Sequence, residues 1–122
     1  MAQQPLISIV DDDRSLRHAL VRLVRSLGYE TRGFGSAEEF AASSAMSNSA
    51  CVITDIQMPG MSGIELKQLL VERRCLVPVI MITARHEQGL EERAHAAGAA
   101  CFLRKPFATT VLIDCLERAL KK

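Results

Sequence analysis

Four short segments of the chain are predominantly apolar, and each stops at a charged or polar residue. They are residues 6–10, 51–54, 79–82 and 101–103. Apolar runs of this length, most of them with β-branched residues, are typical of strands buried on both faces of a parallel sheet. In an open α/β sheet the functional groups lie outside the carboxyl ends of the strands. The residues that end these segments are therefore expected to share one crevice.

Between these segments the spacing of apolar residues changes to that of helices. From Leu16 to Leu27 the apolar residues recur every three or four positions, and Gly28 lies where a helix C-cap belongs. Residues 29–33 then predict a second strand. Four more helices are predicted to begin near Ser36, Ser62, Glu87 and Thr109, the first two with the form of a capping box.

Five strands that alternate with five helices predict an α/β fold. Helical crossovers of this length make a parallel sheet, and right-handed connections place helices on both of its faces, in a doubly wound arrangement. A chain of 122 residues, 48% of them hydrophobic, is long enough for one domain with a sizeable core. We therefore expect a single domain of doubly wound α/β class.

The charge balance excludes one class of function. The chain has 15 basic and 14 acidic residues, which give a net charge of +1. Without a strong positive field, direct nucleic-acid binding by this domain is not expected. The sequence also has no signal-peptide pattern and no apolar run of about 18 residues, so we expect a cytoplasmic location without membrane contact.

The four cysteines are Cys51, Cys75, Cys101 and Cys115, and they lack the CxxC spacing of a zinc site. Two of them lie in predicted strands and one lies on the apolar side of the last helix. Buried thiols in a reducing cytoplasm are therefore expected rather than disulfides.

Carboxylates follow two of the predicted strands. Asp11, Asp12 and Asp13 end the first, and Asp55 ends the segment 51–54. Adjacent carboxylates repel one another unless a cation lies between them, and their hard oxygens suit Mg²⁺. The alternative for the three aspartates is a helix start with acids that suit the dipole, a role expected for Asp13. The alternative for Asp55 is an N-cap or a solvated loop acid.

Two other strand ends carry groups that suit a phosphate. Lys105 stands beside Pro106, and a proline after a strand often marks a forced turn, in some cases with a cis peptide. Such a turn would aim the ammonium into the acidic crevice, where it would balance a transferred phosphoryl group. Thr83 would donate its hydroxyl to a phosphoryl oxygen. The alternatives are a surface lysine and a β-branched residue that simply ends a strand.

Together these residues form a pattern that resembles bacterial response regulator receiver domains. The motifs are IVDDD at 9–13, TDIQMPGMSG at 54–63, MITA at 81–84 and LRKPF at 103–107. The resemblance covers essentially the whole chain, residues 1–122, and is closest in kind to FixJ-like receivers of LuxR/NarL-type regulators. It implies a flavodoxin-like (βα)5 fold with strand order 2-1-3-4-5.

The resemblance also implies roles at the acidic crevice. Asp55 corresponds to the phospho-acceptor, which takes a phosphoryl group from a phosphohistidine of a sensor histidine kinase. Asp12 is similar to the direct Mg²⁺ ligand and Asp11 to the ligand that acts largely through water, while Gln57 stands where the family supplies a backbone carbonyl. Lys105 corresponds to the lysine that pairs with the phosphate.

Further positions are matched to the signalling part of the family pattern. Thr83 is similar to the hydroxyl that closes on the phosphoryl group, assisted by the backbone amide of Ala84. Phe102, by default a core aromatic, stands at the aromatic switch position, whose ring turns inward when the threonine moves. Pro59 and Gly63 resemble the residues that shape the loop after the acceptor.

Three positions depart from the commonest patterns of the family. Gln57 and Arg85 lie two residues after Asp55 and Thr83, where the family tunes the hydrolysis of the acyl phosphate. Arg104 adds a second positive charge beside Lys105, and the sequence does not indicate its direction.

The resemblance implies a phosphorylation-dependent switch of a two-component system and not an enzyme acting on other substrates. The expected partners are a sensor histidine kinase and, after phosphorylation, a second copy of the chain, through a face formed by the fourth predicted helix and the fifth strand. DNA would be reached only through a C-terminal helix-turn-helix domain outside this chain.

Two other functions agree with parts of the sequence. A small Mg²⁺-dependent phosphohydrolase would use Asp11 and Asp13 as a DxD pair, but it needs a cap or substrate pocket for which the chain leaves little room. A flavodoxin-like electron carrier would need a phosphate-binding loop after the first strand. That loop is acidic here and would repel a phosphate monoester.

Overall fold

Residues 5–121 are described by the computed structural model, and in this range the chain forms one parallel sheet of five strands in the order 2-1-3-4-5. The strands are β1 (Leu6–Val10), β2 (Glu30–Phe34), β3 (Ser49–Asp55), β4 (Val79–Thr83) and β5 (Cys101–Arg104). All neighbouring pairs are parallel. The predicted fold class and strand order are confirmed.

Six helices lie within the same range; the first five connect the strands and the sixth follows β5. They are α1 (Arg14–Ser26), α2 (Ala37–Ala41), α3 (Ala45–Asn48), α4 (Gly63–Glu72), α5 (Leu90–Ala96) and α6 (Thr109–Leu120). None of the helices described is long and apolar enough to cross a membrane.

The prediction of five helices was wrong at the β2 to β3 crossover, where two short helices replace one. The Ser43 hydroxyl donates a hydrogen bond to the Phe40 carbonyl at 3.0 Å and accepts one from the Ala45 amide at 3.1 Å. Serine side chains that bond locally to the backbone compete with helix continuation. The break between α2 and α3 follows from this local bonding.

The second strand is shifted by one residue from the prediction, which covered residues 29–33. Sheet pairing begins at Glu30 opposite Leu6 and continues to Phe34 opposite Val10. The amide of Asp11 then donates to the Phe34 carbonyl at 3.0 Å. The register with β1 therefore decides where this edge strand ends, and that register is not encoded in the local apolar pattern.

The core lies on both faces of the sheet, as a doubly wound fold requires. On one face, side chains of β1, β3 and β4 pack under α2 to α5, with Val10, Val52, Met81, Phe40 and Leu66 fully buried. On the other face, alternate residues of the same strands pack under α1 and α6. Successive strand residues point to opposite faces, so strands buried on both sides are apolar throughout.

Helix starts show how the sequence sets local structure. Ser62 and Glu65 form the predicted capping box at α4. At α2, Ser36 accepts from the Glu39 amide, but the Glu39 carboxylate accepts from the amide of Gly35 instead of Ser36. The capping box predicted at α2 is therefore only half formed. Its glutamate instead ties the end of the β2 loop to the helix.

Each of the four cysteines lies within residues 5–121 and is a free thiol there. Cys51 and Cys115 are buried, whereas Cys75 and Cys101 are half-buried. Burial raises the pKa of Cys51 to about 12, so this thiol is unreactive at neutral pH.

The start of α4 is packed directly against the end of β3. A Cβ added at Gly63 would lie 2.5 Å from the carbonyl oxygen of Asp55 and 3.1 Å from Cγ2 of Thr54. The helix can approach the strand this closely only because residue 63 has no side chain.

We predict that Gly63→Ala destabilises the domain by about 1–3 kcal/mol, because backbone atoms of β3 must move to admit the methyl group. Urea unfolding measures this change. Gly35→Ala is the matched control, since its Cβ would meet its nearest atom, a guanidinium nitrogen of Arg17, at 3.5 Å. Equal losses in the two variants would contradict the packing argument.

Candidate functional site

The carboxyl ends of β1 and β3 bring three carboxylates together. Val10 of β1 pairs with Thr54 of β3, so the residues that follow, Asp11 and Asp55, lie side by side. One carboxylate oxygen from each of Asp11, Asp12 and Asp55 lies within 4.8 Å of the others. Asp11 and Asp55 are buried and Asp12 is exposed. The parallel sheet thus brings acids separated by more than forty residues of sequence into one cluster.

Lys105 reaches the same cluster from the end of β5. Its Nζ lies 3.6 Å from Oδ2 of Asp11 and 3.9 Å from Oδ1 of Asp55. The Lys105 amide donates to the Thr83 carbonyl at 2.8 Å, which ties the turn to the end of β4. The peptide bond between Lys105 and Pro106 is cis. The structure therefore unites the carboxylates and the ammonium singled out in the sequence.

Burial makes ionisation of these acids costly. It raises the pKa of Asp55 from 3.8 to about 6, with repulsion from Asp11 and Asp12 acting in the same direction. The nearby Lys105 ammonium lowers this pKa but does not restore it. Burial likewise raises the pKa of Asp11, against the opposing effects of the Asp13 amide and Lys105. At pH 7 Asp55 is still mostly ionised, so the cluster carries unfavourable negative charge.

The donor set fits a divalent cation with a preference for oxygen. Among residues 5–121 no donor lies within hydrogen-bonding distance of the buried Oδ2 of Asp11. A buried carboxylate oxygen without a hydrogen bond is costly unless a cation compensates it. The Lys105 ammonium, 3.6 Å from this oxygen, compensates it only in part, because the pKa of Asp11 remains raised. Carboxylates on a partly open site are the ligands that Mg²⁺ takes in proteins while it retains several waters.

Asp13 has a different role from its two neighbours. Its carboxylate accepts from the amides of Ser15 at 3.0 Å and Leu16 at 3.2 Å, so it is the N-cap of α1, as predicted. The DxD pair of the phosphohydrolase hypothesis requires Asp11 and Asp13 to face the same ligand. Because Asp13 faces the helix, this pair is not formed.

The end of β4 contributes a buried hydroxyl. Thr83 is fully buried, and its Oγ1 accepts a hydrogen bond from the Arg85 amide at 3.0 Å. Ala84 and Arg85 are both exposed in the loop that follows. The hydroxyl is thus engaged with its own loop in this structure.

The loop after Asp55 is held by a residue whose role the sequence does not reveal. Glu38 of α2 accepts from the Met61 amide at 2.8 Å through its Oε2. Gly60, beside it, has φ of +78°, in the left-handed region that favours glycine. Gln57, half-buried in this loop, and Pro59 therefore sit in a segment anchored to another helix.

Arg17 of α1 also supports the site without a sequence signal. Its guanidinium donates to the Asp11 carbonyl at 2.6 Å. Its side chain crosses the end of β2, where a Cβ on Gly33 would lie 3.2 Å from the Arg17 Cγ. The spacing of Arg17 does not distinguish it from the other arginines of the first helix, so only the three-dimensional structure reveals this contact.

Phe102 is not enclosed in the core. The ring is half-buried, packed at one side against the core cluster under α2 to α5. On its outer side it meets the exposed side chains of His95 and Arg104. The aromatic position singled out in the sequence thus lies on β5, at the partly exposed face that meets α5.

Comparison with known proteins assigns the family, since residues 7–117 match the response regulator receiver domain. The chain belongs to this family. Nodulation protein W of Bradyrhizobium diazoefficiens is 34% identical to it over 117 residues, which are 96% of this chain and 52% of that protein. The transcriptional regulatory protein FixJ of Rhizobium meliloti is 35% identical over 113 residues, 93% of this chain and 55% of that protein.

Solved structures support the same assignment for the receiver domain. The crystal structure of FixJ-N has a TM-score of 0.86 and 34% identity, and the match covers 98% of this chain and 95% of that one. The response regulator StyR gives a TM-score of 0.89 and 39% identity, over 97% of this chain and 60% of that one. The FixJ-like resemblance is confirmed. The receiver domain spans about half the length of the curated relatives it matches.

We predict that Asp55→Asn stabilises the metal-free receiver domain at pH 7 by about 1–3 kcal/mol and leaves its stability at pH 4 nearly unchanged. The folded-state pKa of about 6 exceeds the ordinary 3.8. The folded wild-type protein therefore binds the proton more tightly than the unfolded chain, and stability is lost as pH rises between these values.

Urea unfolding in a chelator, at several pH values, measures the difference between the two proteins. Adding Mg²⁺ should reduce the difference in unfolding free energy at pH 7, because a ligand that binds only the folded wild-type site stabilises that protein. A difference that stays constant from pH 4 to pH 8 would contradict the prediction.

Proposed function

We propose that this receiver domain is a phosphorylation switch of a two-component system, in which Asp55 accepts a phosphoryl group from a sensor histidine kinase with Mg²⁺ as cofactor. The observation that carries the proposal is the convergence of three carboxylates and the Lys105 ammonium at one edge of the sheet. The receiver domain would assist only its own phosphorylation and dephosphorylation.

The chemical step is a phosphoryl transfer between two side chains. A carboxylate oxygen of Asp55 attacks phosphorus, the bond between phosphorus and the histidine nitrogen breaks, and its electron pair stays on the imidazole. The product is an acyl phosphate on Asp55. Because Asp55 has a pKa of about 6, most of the protein holds the ionised, nucleophilic form at neutral pH.

Asp12 and Asp55 would hold Mg²⁺ directly, Asp11 would act largely through water, and Gln57 would contribute its backbone carbonyl. Bound Mg²⁺ would supply neutralisation of the carboxylates and of the transferring phosphoryl oxygens. Arg17 holds the Asp11 backbone, and Glu38 holds the loop that contains Gln57. These two contacts preorganise the ligand set.

The remaining site residues would stabilise the product. Lys105 already lies within 4 Å of Asp11 and Asp55, so its ammonium can exchange a carboxylate partner for a phosphoryl oxygen. Thr83 would release the Arg85 amide and donate its hydroxyl to the phosphoryl group, next to the Ala84 amide. Loss of that hydrogen bond frees the loop after β4.

Signalling would follow from this change at Thr83. Its movement leaves room for Phe102 to turn inward, which alters the face formed by α5 and β5. The fourth helix of the sequence prediction corresponds to α5, because the β2 to β3 crossover contains two helices. The altered face would form a homodimer. It would thereby control a transcriptional output module, in keeping with the name of FixJ, and the domain would act in the cytoplasm without contacting DNA.

We predict that a small phosphodonor such as acetyl phosphate adds one phosphoryl group to the protein in the presence of Mg²⁺. Asp55→Asn removes the nucleophile and should abolish the gain, as should a chelator. Intact mass spectrometry measures the product. Asp114→Asn, a change at an exposed aspartate of α6, is the matched control and should behave as wild type. A normal gain in Asp55→Asn would reject the acceptor assignment.

We also predict that phosphorylation converts the protein from monomer to dimer, because a self-complementary face is the simplest output for a local switch. Analytical ultracentrifugation before and after treatment with the phosphodonor measures the mass in solution. Asp55→Asn treated in the same way should stay monomeric. A fully phosphorylated protein of unchanged mass would count against the dimer.

A further inference from the structure

Four side chains form a cluster on the outer surface where α5 meets β5. The Arg104 guanidinium carbon lies 5.1 Å from the centre of the Phe102 ring. Arg104 Nη1 lies 3.5 Å from Oε1 of Glu91, and His95 Nε2 lies 3.5 Å from Oε2 of the same carboxylate. The rings of His95 and Phe102 are 6.3 Å apart. We call these four residues the Phe102 cluster.

The backbone geometry brings the four together. Phe102 and Arg104 are two apart on β5 and so lie on the same face of the strand. Cys101 and Leu103, on the opposite face, pack into the core under α1 and α6. Glu91 and His95 are four apart on α5 and share one side of that helix. The cluster is therefore a strand face packed against a helix face.

Arg104 lies next to both side chains of the proposed switch, Thr83 and Phe102. In the sheet it lies directly opposite Thr83, and the next residue in the chain is Lys105. The Thr83 hydroxyl is held by the Arg85 amide, and the Phe102 ring is covered by the Arg104 guanidinium. In this structure both side chains are thus engaged in contacts that the proposed switch would have to break.

We propose that Arg104 is a positioning residue for Phe102: its guanidinium, aligned by Glu91, holds the ring outward and sets how readily the domain enters the activated state. The inference rests on the proposed function. An inward ring loses the contact with the guanidinium, so the cluster favours the resting conformer. Phosphorylation must overcome this preference.

The contacts are of a size that suits a reversible switch. A cation–π contact and an exposed ion pair are each weak, and together they bias a two-state equilibrium by roughly fivefold. The bias delays activation without preventing it.

The test compares Arg104→Gln, Arg104→Lys and Glu91→Gln with wild type. Arg104→Gln removes the cation, and Arg104→Lys keeps the positive charge without the planar guanidinium. Glu91→Gln removes the ion pair that aligns the Arg104 guanidinium. Arg93→Gln is the matched control, since it removes the exposed ion pair with Glu87 and leaves the Phe102 cluster unchanged. All of these side chains are exposed, so the variants should fold, and thermal unfolding checks this.

Two measurements are made on each variant. The first is fluorine NMR of protein labelled with fluorophenylalanine, with Mg²⁺ but no phosphodonor, and the Phe102 signal is assigned with Phe102→Leu. The second is the initial rate of phosphorylation by acetyl phosphate, from timed intact masses at concentrations where the protein is monomeric. The first measurement does not depend on whether Asp55 accepts phosphate, so failure of the proposed function is seen separately.

We expect Arg104→Gln to shift the Phe102 signal and to raise the phosphorylation rate roughly fivefold. Arg104→Lys and Glu91→Gln should give smaller changes of the same sign, and Arg93→Gln should match wild type. Loss of a positive charge beside the site would by itself slow reaction with an anionic donor, so a faster reaction distinguishes the two effects. An unchanged Phe102 signal in Arg104→Gln, or a rate that does not rise, would overturn the inference.

Discussion

The burial of two neighbouring carboxylates, Asp11 and Asp55, is the constraint on which the site depends. Parallel pairing of β1 with β3 places Asp11 beside Asp55, although two neighbouring carboxylates repel each other. Burial raises the pKa of both. Isolated charges in such a position would be protonated or would distort the fold. Here the Lys105 ammonium offsets part of the cost, and in the proposed function a bound Mg²⁺ would offset the remainder. The proposed affinity for Mg²⁺ and for a phosphoryl group would come from relief of this cost.

The contacts around the site fall into two groups. In the first, α4 touches the backbone of β3 at Gly63, Arg17 holds the Asp11 carbonyl and Glu38 holds the loop after Asp55. In the second, Thr83 is held by one amide and Phe102 by exposed side chains. In the proposed switch, the first group would keep the ligand geometry fixed, while the weaker second group would allow Thr83 and Phe102 two positions. This asymmetry is what a signalling site needs, since its chemistry must stay fixed while its output changes.

The sequence predicts most strands and their terminal groups because burial on both faces forces continuous apolar runs, and the first charged or polar residue after such a run lies at or near the strand end. That is why Asp11, Asp55 and Lys105 could be assigned to one crevice. The edge strand β2 lacks this signal, since Glu30 and Arg32 lie within it. The local pattern does not predict the break between α2 and α3, which depends on a serine hydroxyl, or the end of β2, which depends on pairing with β1. Supports such as Arg17 and Glu38 also escape prediction, because long polar side chains make distant contacts that have no periodic signal.

In the proposed switch, two adjacent residues, Arg104 at the end of β5 and Lys105 just after it, connect the phosphorylation site to the face formed by α5 and β5. Side chains alternate across a strand, so Lys105 and Arg104 point in different directions although one peptide unit separates them. Lys105 turns into the acidic crevice, whereas Arg104 covers Phe102 and pairs with Glu91 on α5. Thr83 is the residue paired with Arg104 in the neighbouring strand. In the proposed switch, a shift of Thr83 at the end of β4 would therefore act directly on Arg104 of β5. Arg104 in turn contacts Glu91 of α5, so no long path through the core is required.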